Sequence, residues 1–237
     1  MESIANRLDA LDWTSINQAL HKHGFVTVKQ LLNDDECNEM IRNYSTANRY
    51  RKTIIMERYR FGLGEYKYFS YPLPPIVQTF REQVYKHIAP VANQWMREAG
   101  IEKQFPETHA EMIRQCHQNK QVHPTPLILK YGVQGFNTLH QDLYGDVYFP
   151  IQILFVLNQT GRDFTGGELV ITEQIPRAQS KANVLSPGKG DMVIFTTSFR
   201  PVRGSKGFYR VNMKHGVSPL HSGERYSMGI IFHDALS

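Results

Sequence analysis

The chain has 237 residues, 41% hydrophobic and 21% charged, the usage of a globular protein and not of a disordered or fibrous one. Its most apolar run, Val147 to Leu157, is broken by Gln152 and falls short of the ~18 apolar residues that a membrane-spanning helix needs. Lys and Arg outnumber Asp and Glu by 27 to 22, which favours an acidic partner or substrate, and 10 His against 2 Cys, Cys37 and Cys116, points any metal site to imidazole and carboxylate.

Residues 1–237 read as one domain, with a mostly helical part over 1–123 and a β-rich core over 124–237. The first residues, Met1-Glu2-Ser3-Ile4-Ala5-Asn6, lack the basic and apolar regions of a signal peptide. A cytoplasmic protein with reduced cysteines and no membrane association is expected.

In chain order, Trp13 to His23 is predicted as a helix capped by Thr14 or Ser15 and stopped at Gly24. A β-rich stretch, Gly24 to Val28, follows. Asn33-Asp34-Asp35-Glu36 opens a second helix running to about Tyr44. After Pro72, Pro74 and Pro75 a long helix spans about Ile76 to Glu98 and ends at Gly100. Glu107 to Asn119 is also read as helical. Beyond Pro124 the period changes to two, with strand-like runs at 126–131, 136–144, 147–158, 167–173, 181–185, 191–197, 209–217 and 225–233. Such a succession of short strands predicts a jelly roll or closed barrel, with the N-terminal helices packed outside.

Within the run 136–144, strand alternation puts His140 and Asp142 on one face. His215 lies on a later run. Two imidazoles and a carboxylate make the facial triad of non-haem iron(II) oxygenases, which leaves coordination positions open for O2 and a reductant. The His-x-Asp spacing alone is weak, since about 0.4 such pairs arise by chance from this composition. His109-Ala110-Glu111 repeats the spacing, but on a helix where i and i+2 do not share a face. Alternation also puts Arg225 and Ser227 on one strand face, where a guanidinium would hold a carboxylate in a two-pronged grip with a hydroxyl beside it. Tyr131 would add a third hydrogen bond, and Lys214 is the next candidate should Arg225 not make the contact.

Together, His140 and Asp142, Thr165-Gly166-Gly167-Glu168-Leu169, His215-Gly216-Val217 and Arg225-Tyr226-Ser227 resemble the ordered motifs of Fe(II)/2-oxoglutarate-dependent dioxygenases. The pattern is similar to the prolyl-hydroxylase-like branch, with a basic residue 10 positions after the distal histidine. A broader run resembles one bacterial family nearly end to end. It includes Phe61-Gly62-Leu63-Gly64-Glu65-Tyr66, Tyr71-Pro72-Leu73-Pro74-Pro75 and Gly229-Ile230-Ile231-Phe232-His233-Asp234, and the family is described as acting in oxidative repair of methylated nucleic acid. The resemblance implies a double-stranded β-helix, iron(II) on His140, Asp142 and His215, and 2-oxoglutarate with its distal carboxylate on Arg225. It implies O2 and 2-oxoglutarate as cosubstrates. AlkB-type enzymes carry their basic residue further along with a second arginine nearby, whereas Arg225 is the last arginine here.

Two segments are candidates for holding a nucleic-acid substrate. In 48–69, Arg49, Arg51, Lys52, Arg58, Arg60 and Lys67 interleave with Tyr50, Tyr59, Phe61, Tyr66 and Tyr68, a pattern suited to single strands or an extruded base. The second, a loop over 199–214, carries Arg200, Arg203, Lys206, Arg210 and Lys214 without an acid. His117, His123 and His221 read as polar surface residues. Other readings of the chain are a hydroxylase of a protein side chain or small molecule, a cupin-like binding module, and a basic nucleic-acid-binding adaptor.

Overall fold

A computed structural model describes residues 2–237; Met1, at the head of the N-terminal stretch read above, lies outside the described residues. The helical first half begins with α1 (Ile4–Asp9) and α2 (Trp13–His23). The cap of α2 is Asp12, whose carboxylate accepts from the Ser15 amide, and not Thr14 or Ser15. An ionised side chain at that position satisfies an orphan N–H and meets the positive end of the helix. Gly24 closes α2 in the left-handed conformation, as expected, and leads into β1 (Phe25–Val28). The next helix, α3 (Asp34–Arg42), starts with a reciprocal cap between Asn33 and Glu36 and ends before Tyr44, where a 3-10 turn takes over.

The remaining first half holds more sheet than the helical pattern suggests. Residues 48–69 fold into β2 (Tyr50–Ile55), β3 (Gly62–Leu63) and β4 (Glu65–Phe69), joined by a 3-10 turn over Met56–Tyr59. Two helices follow, α4 (Pro75–Glu98) and α5 (His109–Gln118), the second capped by Thr108. Each of the eight predicted β-runs contains a strand: β5 (Leu127–Tyr131), β6 (Phe136–His140), β7 (Ile151–Val156), β9 (Leu169–Gln174), β10 (Lys181–Leu185), β11 (Met192–Thr196), β13 (Gly207–Val217) and β15 (Arg225–Ile230); three further short strands, β8 (Phe164–Gly166), β12 (Phe199–Gly204) and β14 (Leu220–Gly223), fall outside those runs. The supposed loop 199–214 is instead a hairpin, with β12 paired antiparallel to β13 from Phe199↔Asn212 to Gly204↔Gly207.

After Pro124 the chain alternates between two sheets, which makes the core a double-stranded β-helix. The larger sheet runs β1-β11-β7-β15-β5-β4-β2; the smaller runs β10-β9-β13-β6-β3 with β12 on β13, and β14 pairs with β8 as a short ribbon. The outer face of the larger sheet is covered by α4. Its Val77, Phe80, Val84, Tyr85 and Ile88 share one core with Phe155, Met228 and Ile230, and the Phe80 and Phe155 rings lie 4.6 Å apart. Among the described residues no helix is long and apolar enough to cross a membrane, and both cysteines are buried and unpaired.

The C-terminal segment after β15 is a polar hub. Arg81 of α4, fully buried, donates to the carbonyl oxygens of Ile231 (2.9 Å) and His233 (3.1 Å), to Asp234 Oδ1 (2.8 Å) and to the Tyr71 hydroxyl (3.0 Å). Gln121 Nε2 donates to the Asp234 carbonyl oxygen (2.6 Å) and also to that of Val147 (2.8 Å). It thereby ties the hub to the loop that leaves the His140 strand. His117, read as a surface residue, places Nε2 3.1 Å from Asp234 Oδ2.

This hub makes the fold acid-sensitive. Burial first, and the Arg81 charge second, push His109 and His233 from the usual 6.5 down to about 3. Between those values the unfolded chain binds more protons than the folded one, so stability falls as the pH drops from 6.5 towards 3. Urea titrations are expected to show a loss of about 1.4 kcal/mol per pH unit for each histidine within that window. His109→Gln keeps a donor near the Phe232 carbonyl oxygen and should remove one such slope; equal slopes in both proteins would refute the assignment.

Candidate active site

His140 and His215 face each other across the smaller sheet, in register between β6 and β13, with ring centroids 4.2 Å apart. Gly216 permits this approach, because a Cβ there would stand 2.6 Å from the Asn137 carbonyl oxygen. Asp142 does not arrive by strand alternation as expected, since β6 ends at His140. Its loop is held by Gln141, whose Nε2 donates at 2.8 Å to the carbonyl oxygens of both Ser198 and Met213. The carboxylate still reaches both rings, with Oδ1 3.5 Å from His140 Nε2 and Oδ2 3.2 Å from His215 Nε2. One ligand atom from each residue lies within 4.8 Å of the other two.

The protonation pattern suits a cation. His140 Nδ1 lies 2.7 Å from the Thr138 carbonyl oxygen, to which it donates, so Nε2 is the ring nitrogen turned towards Asp142 and the one available to a metal. Burial alone would raise the Asp142 carboxyl, but hydrogen bonds from the facing imidazoles hold it well below the usual carboxylate range. Burial and the neighbouring His140 lower His215, whose Nδ1 has no partner. Tyr144 Oη donates to Asp142 Oδ1 (2.7 Å), and Gln152 Nε2 donates to Oδ2 (2.9 Å). A buried N2O set with one ionised oxygen suits iron(II), and the residues fit that metal.

The residues expected to meet the cosubstrate lie on neighbouring strands. On β15, Arg225 pairs with Tyr131 of β5 in the register, and its Nη1 donates to Ser227 Oγ at 3.0 Å. Arg225 is 1% exposed, packs against the Tyr131 and Phe164 rings, and has no hydrogen-bond partner at Nη2. A buried guanidinium with an unused prong is a site for an anion, so a dicarboxylate fits this chain as well as the metal does. The Gly166-Gly167 turn makes room for it: both glycines have positive φ (74° and 66°), and a Cβ on Gly167 would stand 3.0 Å from Arg225 Cδ. Tyr131 and Ser227 line a cavity of about 230 Å³ together with His140, Asp142 and His215. Tyr131 Oη accepts from Asn137 Nδ2 at 3.4 Å. Lys214 sits exposed on β13, on the face opposite buried His215, which removes it as an alternative to Arg225.

The basic segments divide by use. Arg51 donates to the Pro124 carbonyl oxygen and covers the Tyr68 ring, and Lys67 donates to the Tyr44 carbonyl oxygen over the Tyr44 ring. Lys52, Arg58 and Arg60 remain exposed. In the hairpin, Arg200 is tied to Glu173 of β9 at 2.8 Å, an acid from outside its own segment, while Arg203, Lys206, Arg210 and Lys214 remain exposed. His123 and His221 are exposed, as expected, and His109 is a buried helix residue away from the triad.

Sequence reasoning missed Gln152 and Tyr144. Gln152 was visible only as the polar break in an apolar run, and an amide inside a fully buried strand is the signal that would have singled it out. Tyr144 lies two residues beyond Asp142, where no periodic pattern announces its contact.

The Oxygenase-NA family, described as an oxygenase catalysing oxidative methylation of damaged DNA, matches residues 64–235. An uncharacterized protein of Mycobacterium tuberculosis is 41% identical over 167 residues, covering 70% of this chain and 72% of the relative. Among solved structures, a Pseudomonas putida prolyl-4-hydroxylase is similar over 92% of this chain and 97% of its own, at 15% identity and a TM-score of 0.56. An oxidoreductase of the 2OG-Fe(II) oxygenase family from Burkholderia pseudomallei is similar over 95% of this chain and 93% of its own, at 12% identity and a TM-score of 0.53. These two similarities are similarities of fold.

Proposed function

The chain belongs to the Oxygenase-NA family and carries the chemistry of an iron(II)- and 2-oxoglutarate-dependent dioxygenase, and we propose that it removes methyl groups oxidatively from damaged nucleic acid. The observation that carries the substrate reading is the arch at the mouth of the cavity. Phe61 lines the cavity yet is 44% exposed, and Tyr59, 54% exposed, stacks on it at 5.4 Å. Arg58 and Arg60 flank these rings in solvent, and the Phe61 carbonyl oxygen accepts from the Thr138 amide (2.8 Å), which anchors the arch to the His140 strand. Exposed rings between cations, fixed beside a site of C–H chemistry, suit an unstacked base with its flanking phosphates.

In this reading His140, Asp142 and His215 hold the iron, and Arg225, Ser227 and Tyr131 hold the distal carboxylate of 2-oxoglutarate. The bound pair supplies O2 activation coupled to decarboxylation of 2-oxoglutarate to succinate, and inserts one oxygen atom into a substrate C–H bond. The Thr138 carbonyl oxygen keeps the His140 proton on Nδ1, so that Nε2 stays a donor to metal. Leu129 and Phe195 wall the cavity and keep water away from the reacting bond. Hydroxylation of an N-methyl group leaves an N-hydroxymethyl group, which breaks its C–N bond to release formaldehyde and returns the proton to the ring nitrogen. We place the protein in the cytoplasm, where its buried Cys37 and Cys116 stay reduced.

The hairpin tip carries the second contact. From Gly207 to His215 the strand extends roughly 26 Å at about 3.3 Å per residue, so Arg203 and Lys206 reach backbone several nucleotides from the reacting base. Binding of methylated oligomers, followed by fluorescence anisotropy, should weaken steeply with salt, because each neutralised phosphate releases condensed counterions. Arg203→Glu combined with Lys206→Glu should weaken it about tenfold or more at moderate salt and leave uncoupled 2-oxoglutarate turnover intact. Failure of the wild type to bind oligomers at low salt, together with efficient oxidation of a peptide or small molecule, would replace this reading with a general hydroxylase.

A further inference from the structure

We infer that Gln152 is a positioning residue of the metal centre, holding the Asp142 carboxylate from across the core. The inference rests on the assignment of His140, Asp142 and His215 as the metal ligands. Those three residues come from the smaller sheet and the loop that leaves it, whereas Gln152 comes from β7 in the middle of the larger sheet. Every residue of β7 is buried, and Gln152 places the one polar side chain of that strand against the ligands.

Its orientation is decided by chemistry. An ionised carboxylate only accepts, so the amide nitrogen, and not the oxygen, must face Asp142. Nε2 then donates to Oδ2 at 2.9 Å and lies 3.2 Å from His215 Nε2, so one –NH2 group touches two of the three ligand residues. On the other side Tyr144 donates to Oδ1 at 2.7 Å. A carboxylate offers about four lone-pair directions, and two donors leave room for a metal bond. The carboxylate is thereby held in one rotation between the two sheets. Without Gln152, Asp142 keeps the Tyr144 hydroxyl of its own loop and the imidazoles of the smaller sheet, and loses the amide donor that reaches it from the larger sheet.

The test uses Mn(II), an oxygen- and nitrogen-seeking divalent probe, titrated into the full chain and followed by the electron paramagnetic resonance signal of the free ion. Gln152→Met preserves length and burial without a donor, and Gln152→Asn preserves the amide but falls short of Asp142. Both are expected to bind Mn(II) about 10–100-fold more weakly than the wild type, the usual cost of removing an outer hydrogen bond to a metal ligand. Melting without metal serves as the control and should stay close to wild type in Gln152→Asn, so that weaker binding is separated from unfolding. His215→Ala supplies the reference. If the wild type binds no Mn(II), or His215→Ala binds it as tightly, the ligand assignment itself fails. If the wild type binds, His215→Ala does not, and both Gln152 variants match the wild type, the ligand assignment stands and the role of Gln152 is overturned.

Discussion

Changing His215 to alanine is expected to abolish stoichiometric iron(II) binding and, with it, decarboxylation of 2-oxoglutarate in the absence of substrate. The ring is 8% exposed, meets Asp142 Oδ2 at 3.2 Å and lies tilted against the His140 ring, so alanine removes a nitrogen held at the heart of the cluster. Alanine leaves a two-residue set with too few protein ligands, and the carboxylate loses one of the two imidazoles that keep it ionised. Anaerobic iron titration and succinate release measure the two effects separately. Wild-type turnover in a folded His215→Ala protein would remove the iron assignment altogether.

Arg225→Lys should raise the Michaelis constant for 2-oxoglutarate by about tenfold or more, since a shorter reach and a single ammonium cannot reproduce a two-pronged grip. The native guanidinium is buried against Tyr131 and Phe164, where its Nη2 has no protein partner and Nη1 is steadied by Ser227. A lysine there keeps the charge but leaves the hydroxyl of Ser227 without its donor. Iron(II) affinity should change little, because Arg225 is not among the clustered ligand residues. An unchanged Michaelis constant would move the distal carboxylate away from Arg225 to a polar group that lines the cavity, such as Tyr131.

Much of the chemistry was legible because strand and motif spacing are local. His140 and His215, Arg225 and Ser227, and the Gly166-Gly167 turn each sit where alternation or an ordered motif puts them. The stop of α2 at Gly24 and the course of α4 followed from the same kind of signal, a left-handed glycine and a proline at the first turn.

Beside local slips such as the cap of α2, the larger differences concern what a side chain meets far along the chain. Residues 48–69 have the composition of an exposed basic segment, yet Arg51 and Lys67 turn inward onto tyrosines because β2 and β4 join the edge of the larger sheet. Arg200 seemed free of acids within its own segment, and its partner, Glu173, lies on a different strand.

By itself the sequence determined the jelly-roll succession of strands and put forward the candidate ligands and the candidate anion grip, since each depends on residue identity and on periods of two or 3.6 along a short stretch. Only the tertiary structure decided that Asp142 closes the triad from a loop, that Gln152 reaches it from the opposite sheet, and that a ring-bearing arch stands at the cavity mouth. These depend on long-range pairing between sheets, whose register is set by the packing of the whole core and leaves no periodic trace in any one segment.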